Sequence, residues 1–458
     1  MSSPATTPLR LPTLGAAARV WAKIGLLSFG GPAGQIALMH KELVEDRRWI
    51  GEQRFLHALN YCMLLPGPEA QQLAVYIGWL LHRTLGGLIA GLLFILPGAL
   101  VMLGLSVLYV FYREVPAVDG LLFGVKAAVL AVVAEAGIRI SRRALKNRTM
   151  ALVALAAFVA IFLFGVPFPA IVLAAGLLGW IGHHLRPDQF IAAGPAGADD
   201  VHEEALIDAA LARGEMDHIH PHWRKALATL AVWVPLWLGP LAVLAVTTGT
   251  TSVWTQIGSF FSLMAVVTFG GAYAVLAYVA QAAVDSYGWL VAGEMVDGLG
   301  LAETTPGPLI LVLQFVGFLA GFRAPGSLPP VLAGGLGALL TLWVTFAPCF
   351  LWIFLGAPYV EALRGNRRLS AALSTITAAV VGVIANLAIW FALHVLFREV
   401  RPLNLGLISP DWPVLASLDW RAALLAAGAM VAMLRFKAGM IPTLLACALC
   451  GLALRQFA

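Results

Sequence analysis

Two matched sets of residues carry the chemistry open to this chain. Ser28-Phe29-Gly30-Gly31 is followed by Leu65-Pro66-Gly67-Pro68, and Thr268-Phe269-Gly270-Gly271 is followed by Thr305-Pro306-Gly307-Pro308. In each set 37 positions separate the Phe from the first Pro, and Trp49 and Trp289 each stand 20 positions after their Phe. Glycine and proline at such points end or bend a helix, because Gly gives up backbone order and Pro lacks an N–H. Pro68 and Pro308 suit the first turn of a helix, where the leading N–H groups have no intrahelical partner. The amides of Gly67, Glu69 and Ala70, and those of Gly307, Leu309 and Ile310, then point into the break together with the positive end of the helix dipole. Such termini bind oxyanions. A single Pro-Gly-Pro reads equally well as a tight turn between spans; two copies at matched spacing favour a site.

Ionisable residues inside the apolar runs are few, and each has a bland reading beside the chemical one. Lys126 lies near mid-span with Glu135 nine residues on; a buried charge is costly and usually functional, so a substrate or coupling role competes with a structural ion pair. Lys23 follows Arg19 by four residues, and both could snorkel to the surface. Glu69, beside the proposed anion site, either repels substrate or carries a proton, since a neighbouring anion and a low dielectric both favour its neutral form. The expected substrate-binding set is Gly30, Gly31, Gly67, Glu69, Ala70, Gln71, Lys126, Gly270, Gly271, Gly307 and Leu309. Glu69, Glu135 and Lys23 are the coupling candidates.

Metal chemistry has weaker support. His202, His218, His220 and His222 resemble a metal-binding tract, but alternate spacing in a polar segment is a slight signal. Cys62, Cys349, Cys447 and Cys450 all fall in apolar stretches, where cysteine packs as a small hydrophobe. No metal, no cofactor and no enzymatic constellation are expected.

The elements that hold these residues are membrane helices. Of 458 residues 60% are hydrophobic and 12% charged, against roughly 25% charged in a soluble domain. The net charge of +5 is spread through loops rather than gathered in a patch, which fits membrane topology and argues against nucleic acid. With about 20 apolar residues per span, the runs fall near 14–39, 56–82, 85–111, 117–139, 150–165 and 168–185, then 224–248, then 254–282, 294–322, 328–356, 369–397, 420–436 and 439–456. The fold class is therefore an all-α polytopic membrane protein of about 13 transmembrane helices. The organisation expected is a first repeat at 1–186, a polar linker at 187–223, an extra linking span at 224–253 and a second repeat at 254–458. The first run contains Arg19 and Lys23 and leads straight into the first break, so it reads as a retained span rather than a cleavable signal.

Seven spans separate the starts of the two repeats, so the second is inverted, the plan of many secondary transporters. With the N-terminus inside, inner segments hold 17 Lys or Arg and outer ones 10, which favours a cytoplasmic N-terminus and a periplasmic C-terminus. Lys41, Arg47, Arg48 and Arg54 run against this count, and a re-entrant first element would return them to the cytoplasm. Further along, Lys126 to Glu135 aligns with Thr377 to Asn386, so polar residues nine apart recur in both halves but are charged only in the first.

Phe-Gly-Gly-Pro-Ala-Gly-Gln-Ile-Ala at 29–37, Trp49 to Phe55, Leu-Pro-Gly-Pro-Glu-Ala-Gln-Gln-Leu-Ala at 65–74, Tyr76-Ile-Gly-Trp79 and Thr-Pro-Gly-Pro at 305–308 closely resemble the chromate ion transporter family in its long form with two chromate-transport domains. One departure is Ala272 after Gly270-Gly271, where the first copy has Pro32. The resemblance implies efflux of chromate across the inner membrane, hence chromate resistance, with sulfate as a look-alike substrate. A passive anion channel is the competing reading, since broken helices also build filters. The expected partners are a chromate or sulfate oxyanion, protons as coupling ion, the lipid bilayer and a second copy in a homodimer.

Overall fold

The computed structural model describes residues 11–190, 205–269, 272–359, 367–403 and 410–456. It is almost wholly helical. The first helix, α1 (Leu14–Leu27), starts where the Thr13 hydroxyl accepts from the Ala16 amide and stops before Gly30 and Gly31, whose left-handed φ angles of 87° and 71° interrupt the run. After this break α2 (Gly31–His40) resumes, with Pro32 in its first turn, and widens into a π-helical turn at Lys41–Asp46. A loop leads to α3 (Glu52–Cys62), then to the second break, where Gly67 has φ 122°.

Beyond Pro68 runs α4 (Glu69–Tyr112), which reverses direction at His82 and Arg83, where φ and ψ leave the helical region. Its arms, 69–81 and 84–112, pack antiparallel, and Gly87 permits this because a Cβ there would stand 3.0 Å from the Val75 carbonyl oxygen. The first half closes with α5 (Pro116–Ala144), α6 (Arg148–Phe164), α7 (Phe168–Leu185) and the single turn α8 (Pro187–Phe190).

Short α9 (Leu206–Ala212) lies in the linker, and α10 (Trp223–Thr248) joins the halves. The second half repeats the pattern with α11 (Val253–Val267), α12 (Ala272–Gln281), α13 (Ala292–Glu303) and α14 (Val312–Arg323), then α15 (Pro330–Gly356) and α16 (Arg367–Leu396). A small antiparallel hairpin, β1 (Val400–Pro402) with β2 (Asp411–Pro413), precedes α17 (Trp420–Met430) and α18 (Met440–Gln456).

Contacts between chain ends decide which runs cross. Nε2 of His82 lies 2.7 Å from the Pro12 carbonyl, Nε2 of His218 lies 3.1 Å from that of Trp79, and the amides of Leu206 and Ile207 donate to the carbonyls of Arg48 and Trp49. Residues 12, 48–51, 79–83 and 206–218 thus meet at one end of the molecule. The runs at 14–39 and 56–82, expected as crossing spans, enter from that end and return to it. The cause is length: the 14 residues of α1 rise only about 21 Å before the glycines turn the chain, short of a core about 30 Å thick.

The second arm of α4 does cross, rising about 43 Å to bring Arg113 beside Glu294 at the other end. There Arg323 donates to the Trp289 carbonyl at 2.7 Å, so the second set of broken helices opens toward that opposite end. Among the described residues six helices are long and apolar enough to cross: α4, α5, α7, α10, α15 and α16. The count of 13 rests on apolar runs, and these runs are not all single crossings. Placing Lys41, Arg47, Arg48 and Arg54 at the linker end also changes the charge bias from 17 against 10 to 21 against 6.

Tight helix contacts complete the core. Gly124 on α5 sits against the backbone of Cys447 and Ala448 on α18, which accounts for Cys447 as a buried packing residue.

Candidate functional site

The four breaks meet in two reciprocal hydrogen bonds. The Gly67 amide donates to the Thr268 carbonyl at 2.8 Å, and the Gly307 amide donates to the Ser28 carbonyl at 2.8 Å. Each helix that ends at such a carbonyl is closed by its own hydroxyl: Ser28 Oγ donates to the Ile24 carbonyl at 2.6 Å and Thr268 Oγ1 to that of Met264 at 2.5 Å. Glutamine amides brace the loops, Gln35 Nε2 donating to the Gly307 carbonyl at 2.6 Å and Gln72 Nε2 to that of Pro66 at 2.7 Å. The clasp lies at mid-depth, because Gly98, the midpoint of the crossing arm of α4, packs against Pro306.

This corrects one expectation. The amides of Gly67 and Gly307, read from sequence as free oxyanion donors, are bonded to the opposite half. Buried backbone groups that leave a helix must find a partner, and here each half supplies it for the other.

Beside the clasp lies a cavity of about 160 Å³ lined by Gly30, Gly31, Glu69, Arg139, Arg143, Tyr273 and Glu303 among others. It contains two guanidiniums from α5 and two carboxyls, one on each side of a Pro-Gly-Pro. Tyr273 Oη donates to Glu303 Oε1 at 2.5 Å, and Arg139 Nη2 lies 3.5 Å from Glu135 Oε1. The volume holds roughly five waters at about 30 Å³ each, room for a tetrahedral oxyanion with part of its hydration. Paired guanidiniums match such an anion by their planar forks of N–H donors.

The structure therefore sorts the expected residues. Gly30, Gly31 and Glu69 line the cavity, with Glu135 joined to it through Arg139. Gly270 and Gly271 lie outside the described residues; their neighbours Ala272 and Tyr273 line the same cavity. Ala70, Gln71 and Leu309 are buried and do not line it, although neither atom of the Gln71 amide has a hydrogen-bond partner. Lys23 pairs with Glu42 at 2.5 Å near the linker end, and Arg47 pairs with the same carboxylate. Lys126 is elsewhere too: its Nζ lies 3.1 Å from Asp297 Oδ2, at a separate cavity. His218 packs edge-on against Trp79, while His202 lies outside the described residues.

Sequence reading missed Arg139, Arg143, Tyr273 and Glu303. The arginines stand near the end of an apolar run and counted as loop charges. Glu303 had a usable signal: it lies three residues before Pro306, as Glu69 lies three after Pro66.

Helices broken in pairs, joined tip to tip at mid-depth and bordered by a small charged cavity, fit a polytopic membrane transporter, with that cavity as its candidate site. The family model for the chromate transporter matches residues 16–180 and 255–452, and the chain belongs to that family. It is 35% identical over 390 residues to a chromate transport protein of Pseudomonas aeruginosa, covering 84% of this chain and 82% of that one. A chromate transport protein of Cupriavidus metallidurans is 28% identical over 371 residues (81% and 80%), and a probable chromate transport protein of Synechococcus elongatus is 28% identical over 367 (79% and 80%). No solved structure matches the chain.

Proposed function

We propose that this chain is a secondary transporter that exports chromate, and sulfate as its look-alike, from the cytoplasm across the inner membrane. The observation that carries the reading is the cavity beside the clasp, where Arg139 and Arg143 face Glu69 and Glu303. A divalent oxyanion would sit against the two guanidiniums. The carboxyls would be protonated when the anion is present and ionised when it has left, which couples proton movement to anion movement at this cavity. The repeats are inverted with respect to each other, and the reciprocal bonds at Gly67 and Gly307 are the pivot about which one half rocks against the other.

The basic excess at the end bearing residues 12, 48–51 and 206–218 supports a cytoplasmic N-terminus and linker. Arg455 pairs with Asp119 at the other end, which supports a periplasmic C-terminal segment. Relatives named as chromate transport proteins support the substrate.

The test is radiolabelled chromate uptake into everted membrane vesicles with and without an imposed proton gradient. Accumulation above the equilibrium level, collapsing when the gradient is removed, is expected. Flux that only ever equalises concentrations would make the protein an anion channel instead.

A further inference from the structure

A second cavity, about 320 Å³, lies apart from the one beside the clasp. It opens at the end opposite the linker, where Tyr109 and Arg113 close the crossing arm of α4, and Lys126 and Asp297 form part of its wall. Asp297 is 3% exposed, and its Oδ2 accepts from Tyr109 Oη at 2.8 Å and pairs with Lys126 Nζ at 3.1 Å. Its other oxygen, Oδ1, is buried with no hydrogen-bond partner. A buried carboxylate oxygen left bare is costly, and a proton is the smallest ligand that relieves it.

The surrounding charges leave that position open. From α4, Arg113 is turned to Glu294, which also takes Arg323 from α14. On α18, Arg455 is held by Asp119 of α5 at 3.4 Å, and Glu114 lies on the rim. Lys126 is thus the one cation of the wall whose counter-ion is Asp297.

The same two helices serve both cavities. On α13, Asp297 precedes Glu303 by six residues, a rise of about 9 Å, and α5 carries both Lys126 and Arg139. Between the cavities the helices are in contact at Gly300, which packs on Val125 and Val129.

We infer that the outer cavity is an exit station binding a proton and a tetrahedral oxyanion together, the proton on Asp297 Oδ1 and the oxyanion on Lys126. A proton arriving from the outer solution neutralises Asp297; Lys126 then carries an uncompensated charge and attracts the dianion leaving the inner cavity. Return of that proton to the outer solution restores the Lys126–Asp297 ion pair and expels the anion outward. No bond other than O–H forms or breaks. The inference rests on the proposed export of an oxyanion, and adds a second site with its own pH dependence.

The experiment is equilibrium dialysis of radiolabelled chromate against the purified full-length protein in nanodiscs at pH 5.5 and pH 8. Wild type should hold two equivalents at the lower pH and one at the higher, with the second bound at least tenfold more weakly at pH 8. Asp297→Asn should hold both at either pH, and Lys126→Gln only one at either pH. Tyr109→Phe removes one donor to the carboxylate and should move the transition to higher pH, a readout that survives if the Asn variant does not fold. Arg139→Gln with Arg143→Gln should remove the inner equivalent and leave the outer one with its own transition. A wild type holding one equivalent at both pH values, or an unchanged transition in Asp297→Asn or Lys126→Gln, overturns the exit station while the inner site stands. Binding of none at any pH overturns both.

Discussion

The amide of Gly67 and the carbonyl of Thr268 lie 2.8 Å apart, joining the tip of one half's broken helix to the tip of the other's. Gly67 has φ 122°, and a Cβ on it would stand 2.8 Å from Cys349 Sγ and 2.9 Å from Gln72 Nε2. Its counterpart Gly307, at φ 91°, leaves more room: the nearest atom to an added Cβ is Leu311 Cδ1 at 3.3 Å. Gly67→Ala should therefore suffer both backbone strain, about 1–3 kcal/mol, and overpacking of a similar size, whereas Gly307→Ala should suffer mainly the first. Thermal unfolding in detergent would show the order. Equal losses in the two variants would mean that the packing around Gly67 relaxes freely.

Arg139 and Arg143 are the inner cavity's cations, and each should contribute a charge-assisted hydrogen bond of about 1.5–3 kcal/mol to a bound dianion. At 1.4 kcal/mol per tenfold, either Arg→Gln variant should lower chromate uptake by everted vesicles about 10- to 100-fold at limiting substrate. Lysine at these positions should restore part of the rate, since it keeps the charge and loses the fork. Unchanged uptake in both Gln variants at equal membrane abundance would remove the arginines from the site.

At the linker end, burial against Trp79 holds the His218 imidazole below its ordinary value of 6.5, with the nearby Arg83 acting in the same direction. The docked linker therefore binds a proton less readily than a released one. Docking is complete above about pH 6.5 and weakens as the pH falls below it, because protonation favours release. Hydrogen exchange of amides 206–219, corrected for intrinsic rates, should show less protection at pH 5.5 than at 7.5, and His218→Gln should flatten the difference. Asp208, which pairs with Arg54 at 2.5 Å and accepts from the Gly51 amide at 2.9 Å, does not depend on that proton and should keep partial protection at the lower pH.

The duplicated breaks were legible because glycine and proline act locally: Gly30, Gly67 and Gly307 all adopt positive φ where the sequence requires a stop. Whether a run crosses was legible only as a conflict of charge, in Lys41, Arg47, Arg48 and Arg54. A stretch of about 26 apolar residues such as 14–39 has the same composition whether it spans the bilayer or goes in and returns, and only the contacts of its ends distinguish the two. The oxyanion site was half legible for a related reason. Helix termini announce themselves in sequence, but Gly67 and Gly307 lend their amides to each other's half, a long-range fact. Arg139 and Arg143, by contrast, sit where a charge normally marks a loop, and only the tertiary fold turns them toward Glu69 and Glu303.

Glu69 is where coupling can be tested most directly. Its counterpart by position is Leu309, which cannot titrate, yet the second half does bring a carboxyl to the cavity: Glu303, held by Tyr273 at 2.5 Å. The two acids are therefore unequal. Tyr273 holds Glu303 in place, so Glu69 is the acid to test first for carrying the coupling proton. Glu69→Gln should then still bind chromate but lose the response of flux to the pH gradient, which in wild type can reach tenfold per pH unit, about 1.4 kcal/mol. A carboxylate that merely caps the helix predicts something else, a stability loss of about 0.5–2 kcal/mol with coupling intact in the protein that survives. The membrane potential must be clamped, since each net charge moved across 100 mV is worth roughly 2.3 kcal/mol and would hide a proton effect. Gradient-driven chromate flux persisting in Glu69→Gln, and vanishing in Glu303→Gln, would transfer the coupling role from the first half to the second.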